Sequence, residues 1–271
     1  MTDNVYEVLA VRYATHQERT ARSNFIFVDE HDAAMPLDYY VWVIREQAGT
    51  GSRGAIVVDT GFGPESAAHR PGRVILTPVD VALRRIGVEP SEVSDVVITH
   101  MHFDHAGCLD LFPKARFHIQ DAEMAYCTGR CMCHPILRGP MYLEDILGAV
   151  RRVFAGQVQF HDGTTQLAPG ITLHLIGGHT GGLQAVRVRT KRGWVVLAGD
   201  ATHYWANIRD RSPFPLVANV VQMLEGYRIV EELADGPDHI IPGHDPLILR
   251  RFPTVNGDPD VVRLDAEPLA V

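Results

Sequence analysis

Val96-Val97-Ile98-Thr99-His100-Met101-His102-Phe103-Asp104-His105-Ala106-Gly107 sets three histidines and a carboxylate within six residues, directly after an apolar run. Ligand-type side chains crowded at the end of a buried strand are costly to desolvate unless something holds them, and a divalent cation is the simplest partner. On extended backbone alternate residues face the same way, so His100 and His102 share a side while Asp104 and His105 fall where the chain bends. Two imidazoles can then address one ion and the next two side chains a neighbouring ion. The stretch reads as a metal site at a strand end.

Further ligand candidates follow the same plan of apolar run, glycine, ligand. His179 stands in Gly177-Gly178-His179-Thr180-Gly181-Gly182 after the strand-like Ile171 to Ile176, and glycines there let the backbone turn tightly beside a ligand. Asp200 follows Trp194 to Ala198 and Gly199, where a carboxylate could bridge two cations. His244 ends Ile240-Ile241-Pro242-Gly243. Each pair alone is ordinary turn chemistry, but four strand ends that deliver ligands in one chain are not.

The order His100-x-His102-x-Asp104-His105, His179, Asp200, His244 resembles the metallo-β-lactamase superfamily. Within it, His102-Phe103-Asp104-His105-Ala106-Gly107 and the separation of Asp200 from His244 are most similar to the N-acyl homoserine lactone lactonases. The resemblance runs from about Asp59 to Asp245. It implies that His100, His102 and His179 hold one ion, that Asp104, His105 and His244 hold the other, and that Asp200 and a water or hydroxide bridge them. It also implies an α/β fold, the αβ/βα four-layer sandwich of this superfamily. The family's lactonases carry a tyrosine three residues after the bridging aspartate; here His203 stands there and Tyr204 follows. Either could donate a hydrogen bond to a developing oxyanion, and Tyr204 could equally wall the pocket. Asp104, Asp200, His203 and Tyr204 are the expected catalytic side chains.

A chain of 271 residues with 46% hydrophobic residues is long enough for one domain over 1–271, with no linker dividing it. The net charge of −8 argues against a nucleic-acid surface. Met1-Thr2-Asp3-Asn4 lacks a signal-peptide profile and no run is long enough for a membrane span. A cytoplasmic protein without membrane or nucleic-acid partners is expected, and a homodimer remains open. Of four cysteines, Cys127, Cys131 and Cys133 crowd beside His134 without paired Cys-x2-Cys spacing, and reduced thiols in a loop are the expectation.

Val5 to Tyr13, Tyr39 to Arg45 and Ala55 to Val58 read as strands, with turns at 29 to 32 and a loop at 49 to 54. Asp59-Thr60-Gly61 is a turn in which Asp59 either supports the metal ligands from behind or does plain turn chemistry. Apolar spacing of three and four predicts a helix over Pro78 to Ile86; a strand is expected at Ala115 to Ile119, then a short helix from Ala122, with Asp121 as its cap. Residues 126 to 140 suit a loop over the site, and the pattern Tyr142, Leu143, Ile146, Leu147, Val150, Phe154 a packed helix. In the second half, strands at 171 to 176, 183 to 189 and 194 to 197, a helix over Val217 to Leu233 and a short strand at Ile240 are expected. The tail from Phe252 should be extended and loosely packed.

Two divalent ions that share a bridging oxygen would give hydroxide near neutral pH and polarise a carbonyl, so the expected chemistry is hydrolysis. Imidazole and carboxylate suit zinc, with iron, manganese and cobalt open. The expected substrate is an uncharged lactone, acyl homoserine lactones or another small lactone, which would make the enzyme quorum quenching. A thioester or other ester hydrolase on the same ions is the alternative. A non-enzymatic metal protein fits less well, since a structural site saturates its ions with protein ligands.

Overall fold

The computed structural model describes residues 4–27, 33–46 and 54–270. The turn read at 29 to 32, most of the loop at 49 to 54 and the first three residues lie outside them. Strand β1 (Tyr6–His16) pairs antiparallel with β2 (Leu37–Glu46), and β2 with β3 (Ile56–Val58). Short β4 (Val74–Ile75) lies on the end of β1, while β5 (Asp95–Val97), β6 (Arg116–Gln120) and β7 (Val158–His161) extend the sheet in parallel from β3. A second sheet is the antiparallel meander β8 (Thr164–Ala168), β9 (Ile171–Leu175), β10 (Gln184–Thr190) and β11 (Gly193–Gly199), to which β12 (Ile240–Pro242) adds in parallel. Finally β13 (Thr254–Val255) and β14 (Asp258–Arg263) return to the first sheet beside β1. Among the described residues the sheets have nine and five strands.

Strand periodicity divides the interior into layers. Leu9, Val11 and Tyr13 of β1, with Val41 and Val43 of β2, point outward to helices α1 (Pro64–Ala68), α2 (Val79–Arg85), α3 (Asp121–Thr128) and α5 (Leu143–Phe154). Their neighbours Val8, Ala10, Trp42 and Ile44 point inward, against Leu173, Val186, Val188 and Leu197 of the second sheet. That sheet's other face, through Val196 and Ala198, packs on Ile208 of α6 (Trp205–Arg209) and on Met223, Tyr227 and Val230 of α7 (Val220–Leu233). Both faces of each sheet are therefore buried, which explains runs such as Tyr39 to Ile44 without a polar residue. The result is the four-layer αβ/βα sandwich, and each buried side chain of this size contributes about 1.5–3 kcal/mol.

Several elements differ from expectation for local reasons. Helix α7 starts at Val220 because Asn219 caps it, its side chain accepting from the Gln222 amide. In α5 the buried face runs through Asp145, Ile146 and Ala149, while Leu143 and Phe154 face outward. Residues 126 to 140 are not an open loop: the end of α3, a turn of 3-10 helix at Arg130–Cys133 and α4 (Pro135–Arg138) occupy them. The tail also departs from loose packing, since β14 pairs with β1 and buries Val262 and Leu264 completely. No helix among the described residues is long and apolar enough to cross a membrane.

Candidate metal centre

Strands β3 and β5 run parallel in one sheet, β11 and β12 parallel in the other, and the turns after all four meet at one edge. Beyond β5, the Thr99 amide donates to Asp59 Oδ1 at 2.7 Å and its hydroxyl to Oδ2 at 2.8 Å. Asp59 itself follows β3 with φ 61, a left-handed conformation that costs a non-glycine residue on the order of 1–3 kcal/mol. The carboxylate it thereby turns inward is fully buried and also accepts from His105 Nδ1 at 2.7 Å. Burial pushes its pKa up, opposed by His105 and Thr99. After β12, Gly243 has no side chain because a Cβ would stand 2.5 Å from Asp200 Oδ1. This lets the turn press His244 against Asp200.

Hydrogen bonds on the far side of the rings fix what the near side presents. His179 Nδ1 donates to the Leu216 carbonyl at 2.7 Å, His244 Nδ1 to the Asp38 carbonyl at 2.8 Å, and His105 Nδ1 to Asp59. Thr99 Oγ1, having given its proton to Asp59, accepts from His100 Nδ1 at 3.1 Å. A neutral imidazole that donates through Nδ1 carries a lone pair on Nε2, so four such lone pairs point into the centre. They meet other acceptors there: His179 Nε2 is 3.1 Å from His100 Nε2 and 2.8 Å from His102 Nδ1.

Asp200 lies between two groups of these atoms and divides its oxygens between them. Its Oδ2 is 3.3 Å from His179 Nε2 and 3.8 Å from His100 Nε2. Its Oδ1 is 3.0 Å from His244 Nε2 and 3.4 Å from His105 Nε2, each of which stands 3.6 Å from Asp104 Oδ2. Donor atoms of His100, His102 and His179 lie within 4.8 Å of one another, as do those of Asp104, His105 and His244. His105 Nε2 and Asp200 Oδ1 are enclosed without a hydrogen-bond partner. Lone pairs that face lone pairs in a buried space fit a cation between them, and His/Asp donors fit divalent metal ions. In the absence of one, burial holds His100 and His102 well below the ordinary histidine pKa. For His105 burial acts the same way, but Asp200, Asp104 and Asp59 outweigh it and raise its pKa well above that value.

Of the other expected site residues, only His203 faces this cluster. Its Nε2 lies 2.9 Å from Asp200 Oδ2 and its ring stacks on Phe214, centroids 3.4 Å apart. It also falls into a possible donor set with His179 and Asp200. Tyr204 is buried and its hydroxyl donates to the Pro36 carbonyl at 3.2 Å, away from Asp200. The cysteines are free thiols and join none of these donor sets.

Glu123 in the first turn of α3 escaped the sequence reading. Fully buried, it accepts from the Met101 amide at 2.7 Å through Oε1, and from Thr180 Oγ1 at 2.6 Å and the Gly182 amide at 2.9 Å through Oε2. One carboxylate thus ties the His100–His102 turn to the His179 turn. Its only sequence signal was a carboxylate at a helix start, which reads as a surface preference for the helix dipole. Asp38 was missed for a different reason, since it contributes a backbone carbonyl.

The chain is similar to known proteins in sequence and in fold. A probable metallo-hydrolase of Mycobacterium tuberculosis is 30% identical over 235 residues, 78% of this chain and 73% of its own. An N-acyl homoserine lactonase of Bacillus cereus is 27% identical over 209 residues, 71% of this chain and 77% of its own. The crystal structure of a quorum-quenching N-acyl homoserine lactone lactonase superposes with a TM-score of 0.67 at 23% identity, over 91% of this chain and 94% of that one. The family model of the metallo-beta-lactamase superfamily matches residues 35–249, a span that takes in every turn of the cluster. With a His/Asp centre able to hold metal at the edge of an αβ/βα sandwich, the chain belongs to the metallo-β-lactamase superfamily, as a metallo-hydrolase related to the lactonases.

Proposed function

We propose that the chain is a dinuclear metal-dependent hydrolase that opens a lactone ring, of the N-acyl homoserine lactone kind or another small lactone. The observation that carries this reading is the division of Asp200, one oxygen toward His179 and His100, the other toward His244 and His105. A carboxylate so placed suits a bridge between two ions. His100, His102 and His179 would hold one, Asp104, His105 and His244 the other. Zinc suits the donors, and iron, manganese or cobalt are compatible. When bound, the ions would supply a water of lowered pKa and a positive charge for the scissile carbonyl.

The chain's own groups then have separate tasks. His203, held flat by Phe214 with its Nε2–H on Asp200 Oδ2, would have to shift that one donor from Asp200 to the oxygen that gains charge as the carbonyl is attacked. Asp200 would take a proton from the attacking water and pass one to the departing ring oxygen. Tyr204, bonded to Pro36, would shape the wall. With an acyl homoserine lactone as substrate the enzyme would be quorum quenching, and a cytoplasmic place for it rests on the sequence reading alone. A thioester or other ester hydrolase is the alternative, favoured by His203 at the position where the lactonases carry tyrosine.

The test compares kcat/KM for a lactone and a thioester of matched acyl chain in wild type, His203→Ala and Tyr204→Phe. The lactone should be preferred, with kcat on it lowered roughly 10²-fold in His203→Ala and far less in Tyr204→Phe. Much faster thioester turnover, with neither change slowing the lactone, would replace this reading by the alternative.

A further inference from the structure

Phe103 stands between His102 and Asp104, and two guanidinium groups lie on its ring: Arg70 Cζ is 4.0 Å from the centroid and Arg73 Cζ 5.9 Å. Tyr39 packs on Phe103, with centroids 6.5 Å apart, and meets His244 edge-on at 5.2 Å. The arginines therefore cover the same wall from which His244 reaches the cluster. Burial raises the pKa of the Tyr39 hydroxyl, and Arg73 and Arg19 act on it in the opposite sense, so a third cation is near.

Like Arg138, Arg187 and Arg192, these cations have no carboxylate at ion-pair distance among the described residues, and they differ in lying on the wall beside the cluster. Arg12, Arg45, Arg84, Arg152 and Arg228 each pair with an Asp or Glu. Among the described residues, Arg19, Arg70 and Arg73 donate only to neutral acceptors. Arg19 bonds to Asn24 Oδ1 and the Ser23 carbonyl, Arg70 to the Ser66 carbonyl and hydroxyl and the Met141 carbonyl, and Arg73 to the Pro71 carbonyl and the Tyr39 hydroxyl. Arg73 Nε is enclosed with no hydrogen-bond partner. Asp104 and Asp145 act on Arg70 from beyond ion-pair distance, and Asp104 belongs to the candidate metal cluster.

A neutral alkyl chain laid over Arg70 and Arg73, which cover the buried Phe103, would strip water from these guanidinium groups and offer them nothing in return. A carboxylate or phosphate would complete them, because the planar fork of arginine matches either oxyanion with paired hydrogen bonds. In a chain of net charge −8, a positive wall without a direct ion pair beside the site also favours anions over other small molecules as they approach. We infer that the substrate carries an oxyanion, carboxylate or phosphate, on an arm held by Arg70 and Arg73 above Phe103, while its scissile carbonyl lies at the His/Asp cluster. This departs from the uncharged substrate expected from sequence and rests on the hydrolase reading above.

The probes are the p-nitrophenyl half-ester of glutaric acid and p-nitrophenyl pentanoate, five-carbon acyl chains with and without a terminal carboxylate, plus a phosphate-ended ester of the same length. In wild type at low salt, kcat/KM for at least one anionic ester should exceed that for the pentanoate at least ten-fold, mainly through KM. Which anion leads assigns carboxylate or phosphate. The ratio should fall about ten-fold in Arg73→Gln, recover in part in Arg73→Lys, and shrink in high salt. A wild-type ratio near one, or a ratio unchanged in both Arg73→Gln and Arg70→Gln, overturns the inference. Arg70 also braces the Met141 carbonyl, so Arg73→Gln is the cleaner variant if Arg70→Gln fails to fold. Calorimetric titration of glutarate into metal-loaded wild type and Arg73→Gln separates the two claims, since the metals are common to both. Binding at least ten-fold weaker in Arg73→Gln with neither ester hydrolysed keeps the anion site and removes the hydrolase reading. Equal binding, with both esters hydrolysed alike, does the reverse.

Discussion

Asp59 holds a left-handed backbone, two hydrogen bonds from Thr99 and one from His105, all in a space without solvent. Both of its oxygens accept, so Asp59→Asn must turn an NH2 toward a donor while leaving shape almost unchanged. We predict a 10–100-fold loss of metal affinity, read by competition with a chelating dye, with the far-ultraviolet spectrum intact. Equal affinity would make Asp59 plain turn chemistry, the reading that sequence left open beside this one. Sequence could not choose because the deciding facts are a torsion angle and a partner forty-six residues away. The same holds for His203 and Tyr204, adjacent residues of which one faces Asp200 and the other Pro36.

Elements that end in ligands were the most legible, since β5, β9, β11 and β12 each announce themselves by an apolar run followed by glycine or a polar turn. Elements whose position depends on distant pairing were not. The tail reads as proline-bearing coil, yet β14 finds β1 some 250 residues earlier in the chain and completes the sheet. Helix α3 was expected, but its task of joining two ligand turns through Glu123 could not be seen from one end of either. Glu123→Gln puts an amide NH2 where a carboxylate oxygen accepts, and a buried mismatch of this kind costs about 1–3 kcal/mol. The variant should melt several degrees lower. It should also bind metal more weakly, and a melt within one degree of wild type would show that the turns hold without this tie.

Four layers follow from strands buried on both faces and helices buried on one, and that pattern is in the sequence. The particular sandwich is not; it came from the order of the ligands and is borne out by the family match over residues 35–249. Substrate charge was the least legible property of the molecule, because Arg70 and Arg73 come from a segment with no motif and acquire meaning only where they cross Phe103. A second property belongs to this scale, for ions that bind only the folded chain stabilise it, by about 2.7 kcal/mol at a hundred times the dissociation constant. The metal content of the purified protein and of Asp200→Asn therefore bears on fold and function together. Elemental analysis should find close to two divalent ions per wild-type chain, and in Asp200→Asn a loss from both sites, as the divided carboxylate loses its charge. One ion per chain, unchanged in Asp200→Asn, would contradict the bridged pair on which the proposed hydrolysis depends.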